Sequence, residues 1–169
     1  MAEPPDIRVA PIEASFRTAL LALGVHDDQY AFVGRIAVSL ADAESCEGSE
    51  PMAILCNGEP IGFYRVERHA NTIAEVEFAR PTLGLRSFFI GAQWQGRGLG
   101  TCALEAVMRD LAHRYPWASD VALTVNLRNA PGIALYRRAG FRETGGLYHG
   151  GRSGPQYLML CALPHPNPI

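Results

Sequence analysis

Three alternating glycines stand directly before a helix-like apolar pattern in the segment QWQGRGLGTCALEAVM, which covers residues 93–108. Glycine is unfavourable within a helix and is more common after a helix than before one, so the arrangement requires a reason. The first amides of a helix have no partners within the helix, and the helix dipole favours negative charge at that end. A strand, a glycine loop and a helix in this order therefore predict a site for an anion such as a phosphate or a pyrophosphate.

The spacing of the glycines excludes the two best-known phosphate motifs. A Walker loop needs Lys-Ser or Lys-Thr after its last glycine, whereas Gly100 is followed by Thr101 and Cys102. The dinucleotide fingerprint needs a third glycine at position 101, where Thr101 stands. The pattern that remains is Gln95-x-x-Gly98-x-Gly100, and taken alone it is explained equally well by a tight strand–helix turn without a ligand.

A second segment, NLRNAPGIALYRRAGF, follows about thirty residues later. Together the two segments resemble the GNAT superfamily of N-acetyltransferases, whose loop reads Q/R-x-x-G-x-G/A and whose later segment has an asparagine, a tyrosine seven residues on and a closing Gly-Phe. The residues that match are Gln95, Gly98, Gly100, Asn129, Tyr136, Gly140 and Phe141. One departure is Gly132, where the family usually has alanine. The strand–helix order fits the family fold, so the resemblance covers nearly the whole chain.

The resemblance implies that acetyl-CoA is the cosubstrate. Backbone amides of the loop, residues 96–101, would bind its pyrophosphate, and the strand before the loop would bind the pantetheine arm and polarise the thioester carbonyl. Asn129 would bind the pantetheine arm, act as a helix cap, or do both. Arg97 would add a charge or remain solvated, and the large side chains of Phe88 and Phe89 would be core. The expected cofactor-binding residues are Phe88, Phe89, Ile90, Gln95, Gly96, Arg97, Gly98, Leu99, Gly100, Thr101, Asn129 and Tyr136.

Tyr136 is the residue to which the resemblance gives a catalytic role. Attack of an amine on a thioester expels a thiolate, and a phenol with a pKa of about 10 is protonated at neutral pH and can supply the proton. Without the matching motif, a core tyrosine beside Ile133 and Leu135 would be the simpler interpretation. The general base is open: Glu75 and Glu77 are weak candidates, and solvated surface residues are the alternative.

The acceptor amine is less defined than the cofactor. A finer resemblance to the bacterial polyamine (spermine/spermidine) branch, and five early acidic residues, favour a polycation; the acidic residues are Asp27, Asp28, Glu44, Glu47 and Glu50. The glycine-rich tail with Arg152 and the long insert 69–84 instead allow an amino acid or an aminoglycoside-like amine. A protein N-terminus or lysine, and a non-catalytic acyl-CoA-binding module, are further alternatives.

Composition excludes several other classes. The net charge is −2 with no basic stripe, so nucleic acid is not an expected partner. Apolar runs are too short to cross a membrane and the N-terminus lacks a secretory signal, which favours a cytoplasmic protein. Four cysteines and five histidines are scattered without metal-type spacing, so no metal is expected. A homodimer, with the last strand pairing across an interface, is an option by analogy with the superfamily.

The elements that must position these residues form one domain over residues 1–169. The fold expected is α/β: a single central, mixed but mostly antiparallel sheet of six to seven strands, with helices on both faces, splayed at the acetyl-CoA strand. Strands are predicted at residues 7–10, 52–57, 61–68, 85–92, 120–127 and 156–163, with a hairpin at Asn57-Gly58. Helices are predicted over residues 12–23, 28–43, 101–115 and 130–139. Residues 69–81 are left open, with 72–78 as a further strand or an ordered loop.

Overall fold

The structure is a computed structural model that describes residues 2–165. Its helices are α1 (Ala14–Leu21), α2 (Ile36–Ser45), α3 (Asn71–Ala74), α4 (Leu99–Arg114) and α5 (Ala130–Arg138), with 3₁₀ turns at Asp27–Ala31 and Ala92–Trp94. Its strands are β1 (Ile7–Pro11), β2 (Ser49–Cys56), β3 (Glu59–Glu67), β4 (Thr82–Ile90), β5 (Asp120–Asn126), β6 (Arg142–Tyr148) and β7 (Gln156–Ala162). They form a seven-stranded sheet in the order β1-β2-β3-β4-β5-β7-β6.

The sheet is mostly antiparallel, and the pairing of β4 with β5 is parallel. Alternate residues of each strand point to opposite faces, and both faces are covered. On β2, Met52 and Ile54 join the cluster that packs against α4, whereas Ala53 joins the cluster that packs against α1 and α2. The predicted fold class, a mixed and mostly antiparallel sheet with helices on both faces, is therefore confirmed.

The central strands separate after a short parallel ladder. β4 and β5 pair from Thr82 to Gly84 and from Asp120 to Ala122, and no register is formed beyond that point. On its other edge, β4 pairs with β3, but its register shifts between Phe63 and Arg65 because Ser87 and Phe88 occupy the space of one residue. The splay predicted at this strand is present, and it opens a V-shaped gap in the middle of the sheet.

Three details differ from the sequence-based prediction. The helix expected over residues 28–43 is instead a 3₁₀ turn that ends at Ala31 and the separate helix α2, with Gly34, a poor helix former, in between. The segment 72–78, left open as a strand or an ordered loop, forms no strand: α3 ends at Ala74, and Glu75 after it has a left-handed backbone with φ 56°. Strand β6 was not predicted. The hairpin at Asn57-Gly58 is confirmed, with positive φ at both residues.

Candidate active site

The glycine loop leads into an uncapped helix N-terminus. Gly98 is the N-cap of α4 with φ 74°, and it provides no side chain that could accept a hydrogen bond from the first turn. Gly96 also has a left-handed backbone, with φ 77°. Only glycine adopts this conformation without strain, so the loop geometry accounts for these two residues. The first turn of α4 carries no acidic residue, which leaves its free amides available to an external anion.

A cavity of about 300 Å³ lies at this helix end. Its walls come from the end of β4, the loop, the first turn of α4 and the start of α5. Of the twelve predicted cofactor-binding residues, eleven line it: Phe88, Phe89, Ile90, Gln95, Gly96, Gly98, Leu99, Gly100, Thr101, Asn129 and Tyr136. Val25, Gln29, Phe32, Val33, Trp94 and Leu135 are lining residues that were not predicted. We call this space the cofactor cavity.

Arg97 is the predicted residue that lies outside the cofactor cavity. Its guanidinium stacks over the Trp94 ring, 5.4 Å from the ring centroid. The side chain is exposed. Arg97 therefore contributes a positive charge beside the loop and does not form part of the cavity wall in this structure.

Gln95 has a structural role that the sequence pattern did not reveal. Its amide nitrogen donates to the Ile90 carbonyl at 2.8 Å and to the Gln29 side chain at 2.9 Å, and Gln29 donates back at 2.9 Å. These bonds fix the loop to the end of β4 and to the 3₁₀ turn at Asp27–Ala31. Gln29 lies 66 residues from Gln95 in sequence, so no local signal could have identified it.

The bulge of β4 places unpaired backbone at the mouth of the cofactor cavity. Ser87 has φ 55°, which is unusual for a residue other than glycine, and it turns the following Phe88 away from the regular ladder. On the opposite edge, β5 has already diverged. Backbone groups between residues 85 and 90 that would pair with β5 in a closed sheet are therefore available to a ligand.

Tyr136 projects from α5 toward this same bulge. Its ring lies edge-on to Phe88, with centroids 6.3 Å apart, and edge-on to Phe141 at 5.9 Å. Burial raises the pKa of the Tyr136 phenol above its ordinary value of about 10. The hydroxyl is therefore protonated at neutral pH, the state that a proton donor requires.

Asn129 caps helix α5. Its side-chain oxygen accepts a hydrogen bond from the Gly132 amide at 3.1 Å, and Pro131 occupies the first turn. A Cβ added at Gly132 would lie 2.5 Å from the Asn129 side-chain nitrogen. The glycine at position 132, which departs from the usual family pattern, thus leaves room for the Asn129 side chain in its present position.

A second, larger cavity of about 690 Å³ opens on the other side of Tyr136. We call it the acceptor cavity. It is bounded by the segment after the 3₁₀ turn at Asp27–Ala31, by α2, by the splayed parts of β4 and β5, and by the glycine-rich segment before β7. The two cavities share five residues, which are Phe32, Val33, Phe88, Asn129 and Tyr136. Tyr136 and the bulge at Phe88 therefore stand where the two spaces meet.

An ion-pair network lies at one end of the acceptor cavity. The buried Arg65 contacts Asp42 at 2.6 Å and Glu67 at 3.1 Å, and Arg86 contacts Glu67 at 3.5 Å. The hydrogen bond from Arg65, together with its charge, lowers the pKa of the Asp42 carboxyl below its usual value. Arg152 also lines the cavity. The sequence pattern gave no signal for Arg65 or Asp42, because they come together only when helix α2 packs against the sheet.

The acidic residues expected to attract a polycation do not converge on this cavity. Glu44 pairs with Arg17 at 2.6 Å, and Glu50 pairs with Arg114 at 2.6 Å. The remaining three, Asp27, Asp28 and Glu47, are absent from its walls.

The candidate general bases lie elsewhere as well. Glu75 and Glu77 are both exposed, and neither lines the cofactor cavity or the acceptor cavity. Glu77 instead lines a separate groove beside β6. Among residues 2–165, Asp42 is the one carboxylate on the wall of the acceptor cavity, and its contact with Arg65 makes it a weak base.

Within the part of the chain that the structure describes, no group of three or more histidine, cysteine or acidic side chains is arranged to hold a metal ion. None of the helices among residues 2–165 has the length and apolar character needed to span a membrane.

Comparison with known proteins gives consistent similarities. A family model described as "Acetyltransferase (GNAT) family" matches residues 25–141. A spermine/spermidine N(1)-acetyltransferase of Bacillus subtilis is 29% identical over 142 residues, which cover 84% of this chain and 91% of that protein. An aminoglycoside N(6')-acetyltransferase of Stenotrophomonas maltophilia is 31% identical over 147 residues, covering 85% and 90%.

Solved structures show the same fold. An aminoglycoside acetyltransferase in complex with coenzyme A superposes with a TM-score of 0.73 at 20% identity, covering 93% of this chain and 95% of that one. A spermidine N-acetyltransferase of Vibrio cholerae, in complex with coenzyme A and spermine, superposes with a TM-score of 0.67 at 14% identity, with the same coverage.

Proposed function

Because the chain belongs to the acetyltransferase (GNAT) family and is an acetyl-CoA-dependent N-acetyltransferase, we propose that its acceptor is a primary amine of a small molecule. The amine enters through the acceptor cavity and attacks the thioester directly, within a ternary complex. One observation carries the proposal: the cofactor cavity and the acceptor cavity meet at Tyr136 and at the bulge of Phe88.

The cofactor cavity fits the chemistry of coenzyme A. The free amides at the start of α4 and the positive end of its dipole match a pyrophosphate, and Arg97 adds a charge beside them. The unpaired backbone of β4 matches the amide groups of the pantetheine arm. Acetyl-CoA supplies an acetyl thioester. When the amine attacks its carbonyl carbon, a C–N bond forms and the C–S bond breaks.

The bulged backbone acts on the carbonyl oxygen of the thioester, and Tyr136 acts on its sulfur. A backbone amide near Phe88 donates to the carbonyl oxygen as negative charge develops there, a contribution of about 3 kcal/mol per donor in comparable sites. Tyr136 donates its phenolic proton to the sulfur that leaves. The amine nitrogen releases its proton to water, since Asp42 is held by Arg65.

Polyamines are one acceptor class to assay, since the Bacillus subtilis relative is named for spermine and spermidine. Aminoglycosides are a second class, on the basis of the Stenotrophomonas maltophilia relative. The direct experiment measures thiol release from acetyl-CoA with a panel of spermidine, amino acids and aminoglycosides, and mass spectrometry identifies the acetylated product. We expect release that depends on the amine. Binding of acetyl-CoA without release on any amine would instead support a non-catalytic module.

A further inference from the structure

We propose, as a refinement that rests on the function proposed above, that the acceptor carries a carboxylate or similar anionic group together with its amine, and that Arg86 and Arg152 bind this group. An amino acid or a short peptide with a free carboxylate has this chemistry. A polyamine does not.

The charges on the acceptor cavity favour an anion. Three guanidinium groups line it, those of Arg65, Arg86 and Arg152. Asp42 is the one carboxylate on its wall among residues 2–165, and Glu67 lies behind Arg65 and Arg86. Three positive groups against two negative groups leave one positive charge in excess. A cavity built for a polycation would need the opposite balance, because each ammonium group requires an acceptor.

The two carboxylates near the cavity are already occupied. Asp42 contacts Arg65 at 2.6 Å. Glu67 is buried and accepts contacts from both Arg65 and Arg86, as well as a hydrogen bond from Ser49 at 3.0 Å. Neither group is free to hold the ammonium group of a ligand without giving up a protein partner.

Two of the three guanidinium groups, in contrast, retain free donors. Arg65 is buried and saturated by its partners, so it acts within the protein. Arg86 is 43% exposed and makes a single long contact of 3.5 Å. Arg152 is exposed and forms no ion pair with any carboxylate in the described part of the chain. A guanidinium offers a fork of donors that fits a carboxylate in two places, so these two residues match an anionic ligand group.

The position of Arg86 sets the distance between amine and anion. Arg86 stands two residues before Phe88 on β4, and because Ser87 and Phe88 occupy the space of one residue, the two lie closer than the about 7 Å of a regular strand. The amine must reach the bulge at Phe88 to attack the thioester. A carboxylate held by Arg86 is then within the length of one amino acid from the reacting nitrogen, since the arginine side chain can extend part of that distance.

The test compares matched acceptors on the intact protein. Steady-state kcat/KM is measured at saturating acetyl-CoA for amino acids of each side-chain class. Each amino acid is compared with its own amide, in which the carboxylate is replaced by a neutral group. The amide lacks the negative charge and has a less basic amine. A larger fraction of that amine is unprotonated at neutral pH, which by itself would make the amide the better acceptor. We expect the free carboxylate form to have a kcat/KM at least about tenfold higher, as expected for a charge-assisted hydrogen bond.

Variants locate the effect. Arg86→Gln and Arg152→Gln are each expected to lower kcat/KM for the carboxylate form about tenfold, mostly through KM, and to leave the amide form within about twofold. The matched control is Arg109→Gln, which removes an exposed charge on α4 away from both cavities. It should change neither value.

Each remaining outcome overturns the inference. If amides or polyamines are acetylated better than carboxylate-bearing amines, the acceptor is not anionic, while the proposed function stands. If the carboxylate form is preferred but neither arginine variant alters the preference, Arg86 and Arg152 are not its ligands. If no amine is acetylated although acetyl-CoA binds, the proposed function fails, and this inference fails with it.

Discussion

The ring of Tyr136 stands edge-on to the ring of Phe88, with centroids 6.3 Å apart. Tyr136 belongs to α5, the helix that follows β5, and Phe88 belongs to the bulge of β4, the strand from which β5 has separated. Both residues line the cofactor cavity and the acceptor cavity. The packing of one aromatic ring on another therefore fixes Tyr136, the proposed proton donor, beside the backbone that would receive the thioester carbonyl.

The glycine at position 100 offers a test of anion binding at α4. Its backbone is helical, and an added Cβ would meet Leu135 at an ordinary 3.6 Å, so the fold itself does not require glycine. Gly100→Ala should raise the free energy of unfolding, by up to about 1 kcal/mol, because alanine is the better helix former. Because the family pattern has glycine or alanine at this position, the methyl group should leave room for a pyrophosphate, and the Kd for acetyl-CoA should stay within about twofold.

Thermal unfolding and calorimetric titration with acetyl-CoA measure the two effects separately. Cys102→Ala, an exposed change on the same helix, is the control and should leave the Kd unaltered. A Kd that rises tenfold or more in Gly100→Ala would contradict the expected match between position 100 and the family pattern.

Gly132→Ala tests the position of the Asn129 side chain. The new Cβ would lie 2.5 Å from the Asn129 nitrogen, so the side chain must leave its cap. Loss of an N-cap costs about 1 kcal/mol, and the gain in helix propensity is of similar size, so the net stability should change little. The KM for acetyl-CoA should rise if Asn129 binds the pantetheine arm from its present position. An unchanged KM would limit Asn129 to capping.

Glu67→Gln tests the network beneath the acceptor cavity. Glu67 and Arg65 are both buried, and the substitution leaves part of the Arg65 charge without its partner. Chemical denaturation should show a loss of about 3 kcal/mol. Asp42→Asn is the comparison: Asp42 is 52% exposed, and its removal should cost less than about 1 kcal/mol. Equal losses would show that the two ion pairs do not differ in burial as the structure indicates.

The buried phenol of Tyr64 makes the stability of the fold depend on alkaline pH. Burial raises the pKa of its phenol, and the hydroxyl has no hydrogen-bond partner among residues 2–165. Tyr64→Phe removes an unsatisfied polar atom and should raise the free energy of unfolding by about 1 kcal/mol at neutral pH.

The pH dependence follows from the direction of that shift. The folded protein keeps Tyr64 protonated, whereas the unfolded chain releases the proton above a pH of about 10. The contribution of Tyr64 to stability is therefore complete below pH 10 and is lost as pH rises toward the folded-state pKa. Stability curves from pH 8 to 11 should fall more steeply for the natural protein than for Tyr64→Phe. Parallel curves would contradict the buried position of this phenol.

The cofactor side of the site could be predicted because its signals are local. The loop around Gly98 and the segment from Asn129 to Tyr136 each combine a helix start with the residues that line the cavity, so a short stretch of sequence carries both. Gln29, which holds Gln95, was missed because the contact spans 66 residues. Strand β6 was missed because it lies at the sheet edge and its side chains are mostly exposed, which leaves no hydrophobic alternation to detect.

The acceptor side could not be predicted for a different reason. Its walls come from separated parts of the chain between Tyr30 and Gln156, and the packing of these parts against one another decides which charges meet. Acidic residues that are near one another in sequence, such as Glu44 and Glu50, are directed by their elements to different arginines. Arg65 and Asp42, which carried no motif, are the ones that contact each other at the cavity.

The turnover of Tyr136→Phe tests the proposed catalytic role most directly. The variant keeps the ring and its packing on Phe88 and loses only the phenolic hydroxyl. With the best amine of the panel, we expect kcat at neutral pH to fall by about 100-fold or more, while the Kd for acetyl-CoA stays within about twofold. A kcat equal to that of the natural protein, with acetyl-CoA bound normally, would contradict the proposed catalytic role.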